Sequence, residues 1–291
     1  MAFDQKKIAQ EQIWAYLSLE REIDRQLQQV LDSRLDVAYA IVDSLFLHNP
    51  GAWTDYALVV SDNIPLRPTA GEFLPLYPEA WHVYLYRPDY QDRQPQYAFN
   101  CFMNRICPER ARTFAYFRDQ GLLSQGLVSF NNLRPGNSYP LAQDVAEYGQ
   151  PFNNLEHSLE QSIIDSNITV ILETYISDSH VTYSEKIFRS LQLPRPWLLF
   201  CSPQSVHFLR SHGFDVLDDY VDHGYDLETN HDARLEKILT QVQRFVSLRY
   251  SAQDLSRFAQ AVKHNQARLI ELRKAWPSKL EKTISSLQSH V

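Results

Sequence analysis

Glycine is scarce in this chain, with 8 in 291 residues. There is no Walker-type Gly-rich loop and no GxGxxG, which argues against phosphate binding through a glycine cradle. Cysteine is scarcer still. Cys101, Cys107 and Cys201 are odd in number and form no CxxC pair, so neither a disulfide framework nor a zinc site is indicated. Long apolar runs are missing as well: the stretches 168–172 and 197–201 are far too short to cross a bilayer. The opening MAFDQKKIAQEQ is polar and lacks the apolar core of a signal peptide. The expectation is a soluble protein of a reducing compartment, cytoplasmic or, for a viral chain, in the host cytoplasm.

What is present is core-forming material, 44% hydrophobic and 12% aromatic, enough for two domains or one large one. The net charge of -7 conceals a polarity. From His231 onward there are eleven Lys and Arg against five Asp and Glu, and before it 17 against 30. That asymmetry suits either a surface facing a polyanion or a solvated basic helix lying on an acidic domain.

Periodicity predicts a helix over 4–33, then short strands at 37–42, 56–60 and 81–86. The polar stretch RPDYQDRQPQ at 87–96 reads as an interdomain linker. A second series follows: a strand at 97–103, a helix from Pro108 ended by Gly121, a strand at 126–130, and helical segments near 142–148 and 155–164. An apolar strand over 168–175 leads to a polar loop, a helix from about Ser184, a strand at 197–201 and a helix from about Pro203. Ser202 reads as the N-cap of that last helix and Gly213 as its end. Helices fill 231–250 and 252–276, with another after Pro277. Continuous apolar strands alternating with helices predict an α/β chain with buried parallel sheets. The expected architecture is two Rossmann-like domains facing a cleft, with long helices at both termini. Domains are expected at 1–96, 97–246 and a helical tail at 247–291.

Ligands of parallel α/β sheets collect beyond the carboxyl ends of the strands. Glu173 sits at such an end, and Ser184, Glu185 and Lys186 stand at the next helix start. There unpaired N–H groups favour an anion, Lys186 adds a full charge for a phosphate, and Glu185 can accept from ribose hydroxyls. The same residues also fit a capping serine, a first-turn glutamate complementing the helix dipole and a solvated lysine.

The run ETYISDSHVTYSEKIFRSLQLPRPWLLFCSPQSVHFLRSHGFDVLDDYVDHGYD resembles the donor domain of GT-B glycosyltransferases of the fucosyltransferase and exostosin-like kind. Ser184 stands where that motif has Thr. The tail, with Tyr225, Asp226 and a later Arg234, and the upstream FNCFMNRICPERARTFAYFRDQGLLSQGLVSFN look like further elements of it; together they cover roughly residues 97–246. The resemblance implies a transferase moving a sugar from a nucleoside-diphosphate donor to an acceptor hydroxyl. Glu185 and Lys186 would bind ribose and diphosphate, Glu173 would lie near the sugar, and Asn104, Arg105 or Arg110 would face the phosphates. It implies no required metal or other cofactor. The acceptor would be a glycan or, in phage DNA modification, a hydroxymethylated pyrimidine. No general base stands out among Asp43, His48, Asp55, Asp62 and Glu72. Asp218, Asp219 and His223 fit a polar loop as well as a metal cluster. The competing reading is a GT-B-like shell that binds a nucleotide or a partner without turnover.

Overall fold

The computed structural model of the protein describes residues 39–42, 58–61, 63–65, 72–75, 93–103, 107–130, 159–174, 176–178 and 180–289. The helix read over 4–33, the strand over 81–86, most of the linker stretch and the helix near 142–148 lie outside them. Among the described residues the strands are β1 (Tyr39–Val42), β2 (Leu58–Ser61), β3 (Asn63–Pro65), β4 (Glu72–Pro75), β5 (Tyr97–Met103), β6 (Gly126–Phe130), β7 (Ser166–Leu172), β8 (His180–Thr182) and β9 (Trp197–Phe200). The helices are α1 (Pro108–Asp119), α2 (Leu159–Ile164), α3 (Glu185–Ser190), α4 (Ser205–Ser211), α5 (His231–Val242) and α6 (Ala252–Ser289).

The chain divides into two compact units that are discontinuous in sequence. Residues 1–83, 179–185 and 267–291 form the first, and 84–178 with 186–266 the second. In the first unit β1, β2 and β4 make a parallel sheet in that order. β3 pairs antiparallel with β8, Asn63 opposite Thr182. Both β3 and β8 fall in segments whose prolines and polar residues read as loop, and at three residues each they carry no period that sequence could show.

The second unit holds a four-stranded sheet ordered β6-β5-β7-β9, parallel throughout. β7 and β9 are buried at every position, as continuous apolar runs in a doubly covered sheet require. β5 is followed on one side by β6 and on the other by β7, so the chain reverses direction across the sheet between β5 and β7. Helix α1 begins at Pro108, whose missing N–H costs nothing at a first helical position. It ends on Gly121 at φ 66°, with Leu122 N donating to the Phe117 carbonyl at 2.7 Å and Gly121 N to that of Arg118 at 3.0 Å. Helix α4 ends the same way on Gly213 at φ 82°. Both glycines take the left-handed position of a Schellman cap, as the sequence suggested.

Two other expectations fail for non-local reasons. Ser202 is not the cap of α4: that helix starts at Ser205, with Gln204 as N-cap in the left-handed region and no side-chain cap of its own. Asp226 caps it instead from across the unit, accepting from Val206 N at 3.0 Å and His207 N at 2.8 Å. Pro277 does not divide the last helices either, because α6 runs through it. Proline removes one backbone donor there, yet Leu280 and Ile284 stay buried one turn apart beyond it and carry the apolar stripe onward.

Gly126 lies opposite Phe99 in the β5–β6 register, and a methyl group on it would sit 2.6 Å from the Phe99 ring. That ring is fully buried and packed 4.5 Å from the ring of Phe117, so it has nowhere to go. Gly126→Ala should therefore destabilise the protein by about 1–3 kcal/mol in urea unfolding through overpacking; an unchanged midpoint would show that Phe99 is free to shift.

Candidate functional site

The carboxyl ends of β5 and β7 flank the point where strand order reverses, the usual ligand position in open parallel sheets. Arg110, in the first turn of α1 after β5, crosses that point. It is 1% exposed, and its Nη2 donates to the Leu172 carbonyl at 2.6 Å and to Thr174 Oγ1 at 3.0 Å. The two acceptors flank Glu173 in the chain. Glu173 N continues the β7–β9 ladder by donating to the Phe200 carbonyl at 2.9 Å. Its side chain is 4% exposed, and one carboxylate oxygen lies 3.6 Å from Lys186 Nζ. Two residues singled out separately, one at a strand end and one at a helix start, thus meet in space, and Lys186 remains 29% exposed to whatever approaches from outside.

The other expected site residues are placed less fully. Ser184 directly precedes α3, whose first residue is Glu185; the Glu185 side chain lies outside the described residues, as do Asn104 and Arg105 entirely. The division between units falls between Glu185 and Lys186. Of the base candidates, Asp43, His48, Asp55 and Asp62 lie outside the described residues. Glu72 opens β4, level with the first residue of β2. Among the described residues no three His, Cys, Asp or Glu side chains stand together as a metal site.

Beyond β9, the tail segment forms a polar network rather than a solvated loop. Among the described residues β9 is the edge of its sheet. Leu199 N on that edge donates to the Tyr225 hydroxyl at 3.1 Å. The hydroxyl in turn donates to His223 Nδ1 at 3.0 Å, which places the imidazole proton on Nε2, facing the Val216 carbonyl at 2.9 Å. Tyr225 and His223 are 2% and 7% exposed. A polar cavity of about 300 Å³ adjoins His223, lined also by His207, Arg210, Asp218, Asp222 and Asp226 among others. Its carboxylates are engaged within the protein. Asp218 holds Arg210 through two bonds of 2.9 and 2.6 Å, Asp222 caps Gly224 N at 2.8 Å, and Asp226 caps α4.

No protein-family profile and no curated protein matches the chain. Among solved structures, one of the DNA-modifying enzyme β-glucosyltransferase, determined with and without uridine diphosphoglucose, is similar. The match is 12% identical over 85% of this chain and 73% of that one, with a TM-score of 0.39. That score is too low to establish a shared fold.

One residue here had no role assigned from the sequence. Arg234, in the first turn of α5, is 1% exposed and lies with its guanidinium carbon 5.4 Å from the Phe200 ring centroid, at the end of β9. The sequence named it only as part of the resembling tail, without a role; its own signal is an arginine in the first turn of a helix, where the macrodipole disfavours a cation.

Burial pushes the pKa of His223 below its ordinary value of 6.5; the Val216 carbonyl and the charges of Asp218 and Asp222 pull it up, and Arg210 pushes it down. A base with a depressed folded pKa is neutral in the native state. Its stabilising contribution is complete above the unfolded value and is lost as pH falls from there towards the folded one. Burial raises Asp226 above the usual carboxylate value, so its contribution runs in the opposite sense. In urea unfolding, wild type should lose stability between about pH 7 and pH 5, and His223→Gln should lose less over the same interval. Equal losses would remove His223 from the account.

Proposed function

We propose that the protein is a glycosyltransferase that moves a sugar from a nucleoside-diphosphate sugar to an acceptor hydroxyl, with the donor held at the carboxyl ends of β7 and β9. The observation that carries this reading is the Glu173–Lys186 pair: a buried carboxylate and a partly exposed ammonium 3.6 Å apart at the ligand end of a parallel sheet. Lys186 supplies the charge that offsets a leaving diphosphate. Glu173 offers oxygens to sugar hydroxyls, and Glu185 offers its carboxylate to ribose. Arg110 enters as a positioning residue, because its bonds to Leu172 and Thr174 hold the chain on both sides of Glu173. Asn104 and Arg105, on the same strand-to-helix connection, are assigned to the phosphates by the motif resemblance alone. The reading needs no metal, since cationic side chains do that work.

The charge distribution favours a polyanionic acceptor, hydroxymethylated DNA over a neutral glycan. Lys263, Lys274, Lys279 and Lys282 are exposed on α6, in a segment from His231 onward that carries eleven basic against five acidic residues. Binding through such lysines releases counterions and weakens steeply with salt. A gel shift with hydroxymethylated duplex should therefore appear at low salt and fade as salt rises, and no shift at low salt would move the acceptor to the glycan class.

A thermal-shift screen against nucleoside diphosphates and their sugars tests the donor. A true ligand at a hundredfold its dissociation constant adds about 2.7 kcal/mol of stability. Lys186→Ala and Glu185→Ala should each weaken that ligand and abolish transfer, with the circular dichroism of wild type retained. Both variants binding every nucleotide as the parent does would make the site assignment wrong. Slow hydrolysis of the donor by wild type separates a transferase from a shell that only binds.

A further inference from the structure

Arg234 keeps one edge of its guanidinium out of use. Nη1 donates to the Glu228 carbonyl. Nε and Nη2 are buried and meet no acceptor among the described residues. Those two N–H groups point the same way from a rigid plane, at the spacing of two oxygens on one carboxylate or phosphate.

The acidic groups around it are committed elsewhere. Burial pushes the pKa of Arg234 below its ordinary value, while Cys201, Asp226, Asp178 and Glu228 each favour its charged form. Yet Asp226 accepts from the amides of Val206 and His207, Asp178 pairs with His231 at 3.0 Å, and Glu228 pairs with Lys237 at 2.7 Å. A buried cation with an open hydrogen-bonding edge is costly to the apo protein. The first turn of α5 adds to that cost through the helix dipole and lowers it once an anion arrives. The location is also the ligand end of the sheet. Arg234 lies over Phe200, which pairs across the sheet with Leu172, the residue before Glu173.

We infer that the Nε–Nη2 edge of Arg234 is an oxyanion subsite that takes two phosphate oxygens of a nucleoside diphosphate. The oxyanion chemistry stands on Arg234 itself; the nucleoside part rests on the donor site proposed above. Free inorganic pyrophosphate offers the same oxygens, so the test separates the two sources.

Wild type and Arg234→Lys are titrated by calorimetry with inorganic pyrophosphate, with UDP, GDP, ADP and CDP, and with the matching nucleosides. Lysine keeps the charge and removes the fork. The expected result is a loss on the order of tenfold in affinity for pyrophosphate and for the preferred diphosphate, with nucleoside binding unchanged. In parallel, the assigned Nε–Hε resonance of Arg234 in wild type is followed under saturating pyrophosphate and is expected to move downfield. This readout does not depend on how well the variant folds. An unmoved resonance, equal diphosphate affinities in the two proteins, or no pyrophosphate binding by wild type would each overturn the subsite. Pyrophosphate binding through Arg234 with no nucleotide sugar bound would keep the subsite and remove the transferase reading. A nucleotide sugar bound equally by wild type and Arg234→Lys would do the reverse.

Discussion

The hydrogen bonds from Arg110 to Leu172 and Thr174 hold together everything proposed for the second unit. A guanidinium with 1% exposure is spent on the backbone at the end of one strand from the first turn of the helix that follows another. Arginine suits this task because its planar guanidinium carries several N–H donors, and here Nη2 alone serves both acceptors. Glu173 lies between those acceptors, and its own amide is tied to Phe200. A carboxylate so placed loses little entropy when it meets Lys186, which is why a pair at 3.6 Å can serve as a prepared binding element.

The two arginines of this sheet end divide the labour. Arg110 has its Nη2 directed at protein acceptors, while Arg234 retains an edge with none among the described residues. In the site proposed above, the first builds the platform and the second receives the ligand. Tyr225, His223 and Asp226 form a further layer. They close the edge of β9 and cap α4 from a distance, and so fix the strand whose last residue Arg234 covers.

The second unit was legible where local chemistry decides. Continuous apolar runs announced β7 and β9, short strand-like segments announced β5 and β6, and Pro108, Gly121 and Gly213 marked helix ends by their own backbone preferences. What escaped was non-local. Nothing in HVT signals that it pairs with NIP more than a hundred residues earlier, and nothing at Ser202 signals that Asp226 will supply the cap. Pro277 misled because a local rule was overridden by an apolar stripe that continues past it. In the site, strand-end and helix-start patterns singled out Glu173 and Lys186 without pairing them; their 3.6 Å contact and the unpartnered edge of Arg234 emerge only when neighbours are traced in three dimensions.

Hydrogen–deuterium exchange with and without a saturating nucleoside diphosphate reads the donor site in the unmodified protein. The account predicts slowed exchange concentrated in 172–178, 185–190 and 228–234, the segments around Glu173, Lys186 and Arg234. Bound nucleotide that leaves these three segments unchanged and protects others would contradict it.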